Sequence, residues 1–159
     1  MPRTALIVAV PEAEAAVGEL RLKHDWSAQH GVPAHVTILF PFLSAESVDI
    51  AALDEVFAEL AAFDFVLDRV ARFENGPVWL HPEPSEPFRG LTAAVWRRWP
   101  ECPPYEGVHD HVIPHLTISD EPLEVVVAGL PIAARADAVT LIEEQADGRW
   151  LTRRRFPLG

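Results

Sequence analysis

The chain has 159 residues, 49% hydrophobic and 23% charged, a balance that suits a globular domain with a core of its own. A net charge of −11, from 24 acidic and 13 basic side chains, argues against the broad cationic surface that grips a long duplex nucleic acid. One cysteine, Cys102, excludes an internal disulfide, and no apolar run approaches the roughly 20 residues of a membrane span. The expectation is a single domain over residues 1–159, monomeric, with no membrane partner. The amino terminus also lacks a secretory pattern, so the cytoplasm is the expected location.

In chain order, Thr4 to Val10 reads as a buried strand. Pro11, Glu12 and Glu14 open a helix that runs to about His24 with Val17 and Leu20 inward, proline and acids being favoured in a first turn. Asp25 to Pro33 reads as a loop feeding a strand at His35-Val36-Thr37-Ile38-Leu39-Phe40, which Pro41 ends. A helix follows, capped by Ser44 or Ser47, with Leu53, Val56, Phe57 and Leu60 on one face. Phe63 to Phe73 and Val78 to His81 form a hairpin around Asn75-Gly76. Ser85 caps a third helix that buries Phe88, Leu91, Val95 and Trp99 and turns Arg89, Arg97 and Arg98 to solvent. A proline-bearing loop, Pro100 to Val112, leads into a strand at His115-Leu116-Thr117-Ile118-Ser119. A helix from Asp120-Glu121-Pro122 to Gly129 is expected next, weakened by Val125-Val126-Val127. Ala138 to Gln145 and Arg149 to Leu158 then pair through Asp147-Gly148. The unit of motif strand, helix and hairpin occurs twice, which predicts an α+β protein with two similar lobes around a central groove.

The two His-apolar-Thr strands carry the functional signal. Side chains alternate along a strand, so His35 shares a face with Thr37, and His115 with Thr117. Either copy alone is an ordinary packed strand. Two copies, each following a proline (Pro33 and Pro114), point to one shared cleft for an oxyanion. A neutral imidazole can take a proton from water while an imidazolium gives one to a departing alkoxide. Both titrate near neutrality, and the threonine hydroxyls can hold nonbridging phosphate oxygens. No metal or cofactor is required by this scheme. A rival centre is His109, His111 and His115 with Asp110 alongside, which would suit a metal-dependent hydrolase. A third reading is a module that binds a nucleotide without turning it over. His24, His30 and His81 read as surface or loop residues.

Among the aromatics, Phe40 is assigned by alternation to the core, together with Trp79, Trp96 and Trp99. Trp26, Phe42 and Tyr105 fall in loops beside the motif strands, where one of them could stack on a base. Arg153-Arg154-Arg155 reads as a charged edge strand rather than a phosphate site.

The segment Gly31-Val32-Pro33-Ala34-His35-Val36-Thr37-Ile38-Leu39-Phe40-Pro41-Phe42 resembles the first motif of the 2H phosphoesterase superfamily, in its bacterial branch similar to RNA 2′,5′-ligases. Pro103-Pro104-Tyr105, Pro114-His115-Leu116-Thr117 and Asp147-Gly148-Arg149-Trp150 look like the same branch. The resemblance implies a bilobal α+β fold with the motif strands facing each other. It implies metal-independent hydrolysis of 2′,3′-cyclic phosphates, of nucleotides or RNA 3′ ends, typically to the 2′-phosphomonoester. His35 and His115 would then be the acid–base pair, with the roles unassigned between them, and Thr37 and Thr117 the phosphate holders.

Overall fold

The computed structural model describes residues 2–74, 76–107 and 112–159. Asn75 of the expected turn, and His109, Asp110 and His111 of the rival metal centre, lie outside the described residues. Two four-stranded antiparallel sheets make the frame. The first holds β1 (Thr4–Ala9), β2 (His35–Leu39), β7 (Ala138–Glu144) and β8 (Trp150–Pro157), in the order β2-β1-β7-β8. The second holds β3 (Phe63–Arg72), β4 (Val78–Glu83), β5 (Leu116–Ser119) and β6 (Ile132–Ala136), in the order β5-β4-β3-β6. Each motif strand is therefore an edge strand, and the two edges approach each other.

The internal repeat differs from the expected one. It is strand, helix, motif strand: β1, α1 (Glu14–His24) and β2 in one lobe, β4, α4 (Glu86–Arg98) and β5 in the other. The helices are exchanged, because α1 packs on β5 and α4 packs on β2. Two hydrogen bonds record the exchange. Thr92 Oγ1 on α4 donates to the Ile38 carbonyl at 2.7 Å, and the Asp120 amide donates to the His24 carbonyl at 2.9 Å. Each motif strand is thereby tied to the helix that follows the first strand of the opposite lobe.

Several local expectations change. Residues 120–129 form no helix, because Pro122 and three consecutive β-branched valines disfavour one. Strand β6 was not expected. Its alternation rests on Ala134 and Ala136, which bury so little apolar surface that the pattern is faint. The segment before β2 contains a short helix, α2 (Trp26–Gln29), whose cap is Asp25: its side chain accepts the Ser27 amide at 3.0 Å. Asp49, not Ser44 or Ser47, caps α3 (Ile50–Ala58), accepting the Ala52 amide at 3.1 Å. Ser85 holds the N-cap position of α4 without a side-chain cap bond and instead accepts from Arg89 at 2.8 Å. Trp96 is 45% exposed, on the outward side of α4, and so leaves the core list.

The inner faces of both sheets and the helices share one core, with Leu6, Val36, Ile38, Leu67, Leu80, Leu116, Ile118 and Phe156 among its fully buried members. A second, smaller cluster sits on the other face of the first sheet: Ala5, Ile7, Val32, Ile142 and Trp150, with Phe40 against it. Burying such side chains on both faces of β1 explains why that strand reads as a continuous apolar run. Among the described residues no helix is long and apolar enough to cross a membrane.

Candidate active site

His35, Thr37, His115 and Thr117 all line one cavity of about 300 Å³ between the two motif strands. Its floor is the smaller apolar cluster, Ala5, Ile7, Val32, Ile142, Trp150 and Phe40. A larger open groove, lined by Glu12, Asp64, Glu83 and Arg135 among others, carries mainly carboxylates as its charge and would repel a phosphate.

Each histidine is locked in the same way. His35 Nδ1 lies 2.8 Å from the carbonyl of Pro33, and His115 Nδ1 lies 2.7 Å from the carbonyl of Ile113, in both cases two residues upstream. A carbonyl oxygen only accepts, so each Nδ1 carries a proton and donates it. The titrating lone pair is thereby assigned to Nε2 in both rings.

The same bulge also occurs in both strands. Against β1 the register runs from Ile7 opposite Thr37 to Leu6 opposite Leu39, leaving Ile38 extra. Against β4 it runs from Trp79 opposite Thr117 to Val78 opposite Ser119, leaving Ile118 extra. A bulge puts two successive residues on one side and reverses the alternation beyond it. Ile38 and Leu39 are both buried, as are Ile118 and Ser119. The fifth residue after each histidine consequently returns to the cavity. In the first lobe that is Phe40, which alternation alone assigns to the core; in the second it is Asp120. Phe40 meets Trp150 edge-on at 6.0 Å, and Arg3 lies over both rings while pairing with Glu144 at 2.8 Å.

The described neighbours of the two imidazoles differ. The pKa of His35 is pushed down to about 4, chiefly because burial disfavours its charged form. The Pro33 hydrogen bond raises it, and the positive charges of Arg21 and His115 lower it further. Arg21 is itself buried beside the site, 2% exposed. It binds Asp25 Oδ2 at 2.9 Å, Ser27 Oγ at 3.1 Å and the Val32 carbonyl at 3.1 Å. These bonds hold the corner from α1 to β2. Gly31 belongs to the same corner, with φ +92; a Cβ there would lie 3.0 Å from the Arg149 side chain and 3.3 Å from the Trp150 carbonyl. His115 is packed instead by Phe73, edge to face with ring centroids 4.9 Å apart, and by Trp79 at 5.8 Å.

The three loop aromatics separate. Phe42 is 7% exposed and packs edge-on against Trp99 in the main core, so it is not a site residue. Tyr105 lines the cavity, and its hydroxyl is hydrogen-bonded to Thr37. Its backbone is left-handed, with φ 51, as is that of Glu106 with φ 57, and its amide donates to the Phe40 carbonyl at 2.7 Å. Such a conformation costs of order 1–3 kcal/mol for a non-glycine residue and is concentrated at functional sites. Trp26 also lines the cavity, 48% exposed, with one face stacked on His30 at 4.0 Å.

His81 is half-buried rather than a free surface residue, 2.9 Å from Asp68 and 3.2 Å from Arg69. His81, Asp68 and Glu83 form the one group among the described residues whose donors could converge on a metal ion. None of the three lines the cavity, and the Arg69 guanidinium already supplies a positive charge to Asp68 at 3.2 Å. Arg153, Arg154 and Arg155 pair with Glu143, Asp54 and Asp137, as suits a charged edge strand.

A family model described as the 2′-5′ RNA ligase superfamily matches residues 9–148. The crystal structure of Escherichia coli LigT complexed with 3′-AMP superposes with a TM-score of 0.71 at 20% identity, over 99% of each chain. The same protein has been crystallised with ATP and with NADP+. A structure described as a phosphoesterase gives 0.67 at 18% identity over 99% of each chain. TT0787 of Thermus thermophilus gives 0.68 at 23% identity, over 98% of this chain and 97% of its own. At these identities the superpositions establish the fold. Among curated proteins none matches the sequence.

Proposed function

Because the chain belongs to the 2′-5′ RNA ligase superfamily of 2H phosphoesterases, we propose that it is a cyclic phosphodiesterase acting without a metal. The proposed substrate is a 2′,3′-cyclic phosphate of a nucleotide or an RNA 3′ end, and the product the 2′-phosphomonoester. The observation that carries the reading is the convergence of both motifs, from two different sheets, on one cavity with identically locked histidines.

In this scheme water attacks phosphorus while His35 Nε2 takes its proton, and the P–O3′ bond breaks as His115 Nε2–H gives a proton to the leaving oxygen. One P–O bond forms and one breaks, and each histidine ends in the other's starting state, to be reset by solvent. Burial keeps His35 neutral at pH 7, which suits a base rather than an acid. The negative phosphate opposes that depression and strengthens the base once substrate is bound. Hydroxyls of Thr37 and Thr117 hold the nonbridging oxygens, with Tyr105 orienting Thr37.

The test is a phosphorus NMR time course on the four 2′,3′-cyclic nucleotides in excess EDTA. Conversion to a single monophosphate isomer is expected. A reaction that stops in EDTA and returns with added metal would overturn the reading; absence of turnover with retained affinity would leave a binding site.

A further inference from the structure

The paired bulges make the two cavity walls comparable residue by residue, and they differ most at the fifth position after histidine. Phe40 continues the apolar floor. Asp120, an exposed residue of the lining, brings a carboxylate to a pocket read above as a phosphate site, where a negative charge repels the substrate's own. That placement calls for a compensating role.

Asp120 Oδ2 accepts the backbone N–H of Trp26 at 2.7 Å, so the carboxylate is fixed beside that residue. A carboxylate has about four acceptor positions. Among the described residues its side chain takes only this one bond, leaving the others to the cavity or solvent. The Trp26 indole is backed by His30, which lies outside the cavity lining, and the ring remains half exposed. Hydrogen bonds hold the platform on three sides of the turn. Asp25 caps its helix, the His30 ring bonds the Trp26 carbonyl at 2.8 Å, and the His30 carbonyl accepts the Trp150 amide at 2.8 Å. An aromatic ring and a carboxylate lining one cavity can recognise a nucleobase, the ring by stacking and the carboxylate by accepting from the base's edge.

We propose that Trp26 and Asp120 form a nucleobase subsite in which the indole stacks on the base and the carboxylate selects an exocyclic amino group. The proposal rests on the phosphodiesterase reading for the placement of the phosphate. Cytosine offers its N4 amino group to such an acceptor. Uracil presents a carbonyl at the same position, which the carboxylate repels. A cavity of about 300 Å³ is at the small end of the scale of small-molecule sites, and the subsite is assigned to one base.

The test is calorimetric titration with cytidine 2′-monophosphate and uridine 2′-monophosphate, which are not turned over. Wild type should bind the cytidine ligand about tenfold more tightly, the scale of one well-placed polar contact. Asp120→Asn keeps an oxygen for the Trp26 amide and presents an amino group, so the ratio should fall to one or invert. Trp26→Leu should weaken both ligands about tenfold with the ratio kept, in line with the loss of a stacking contact. Equal affinities in wild type, failure of both to bind, or an unchanged ratio in Asp120→Asn would overturn the proposal. Because binding is read without turnover, a base preference in a protein that hydrolyses no cyclic nucleotide would leave the subsite standing and remove the phosphodiesterase reading. Hydrolysis without preference would do the reverse.

Discussion

The corner that carries His35 is built on a buried ion pair, Arg21 with Asp25, while His115 is packed by two aromatic rings, Phe73 and Trp79. Three features beside the imidazoles repeat: the Nδ1 lock two residues upstream, the threonine, and the bulge. The supports behind them do not. A buried cation near His35 opposes protonation of that ring. The comparison teaches that a duplicated motif can be given two unlike settings by what packs behind it, which is what the proposed division into base and acid requires.

The comparison can be broken most severely at the histidines. His35→Ala and His115→Ala should each lower kcat by about 10²–10⁴-fold, measured on a 2′,3′-cyclic nucleotide, with folding unchanged by circular dichroism. A normal rate in either variant would deny that the two motifs form one site. The supports come next. Arg21→Met leaves Asp25 as an unpaired buried charge and should cost about 3–5 kcal/mol of stability in urea unfolding. Phe73→Leu, which removes the edge-to-face contact with His115, should cost nearer 1 kcal/mol and act mainly on kcat. Equal costs would mean that the two supports are not different in kind. The smallest effect should be Tyr105→Phe, a loss of severalfold through the Thr37 hydroxyl it orients, on the scale of one hydrogen bond.

Much of this was legible in the chain. His35, Thr37, His115 and Thr117 could be paired because period-two alternation holds across the three residues of each motif. It fails at Phe40 because the bulge falls just beyond Thr37, and a bulge depends on the neighbouring strand's register. Asp120 escapes the alternation for the same reason, and beside Glu121-Pro122 it has the pattern of a helix start. Trp150 and Ile142, which complete the apolar floor, lie more than 100 residues from His35 and reach it only through the sheet order. Phe42 and Tyr105 looked alike in sequence. The backbone alone separates them, one turning into the core beside Trp99 and the other held left-handed at the cavity.

The inequality of the two histidines is the centre of the account, and the pH dependence of kcat/KM on a 2′,3′-cyclic nucleotide tests it directly. That ratio reports groups of the free enzyme. His35 takes a proton only as pH falls through about 4, so the base stays competent well below the ordinary histidine range. The unfolded chain binds that proton near pH 6.5, so folding weakens over the same interval, and initial rates must be taken before unfolding. A bell with its acid limb near pH 4, and a basic limb lost in His115→Ala along with most of the rate, is the predicted result. An acid limb at pH 6.5 or above would contradict the account and exchange the roles of the two histidines.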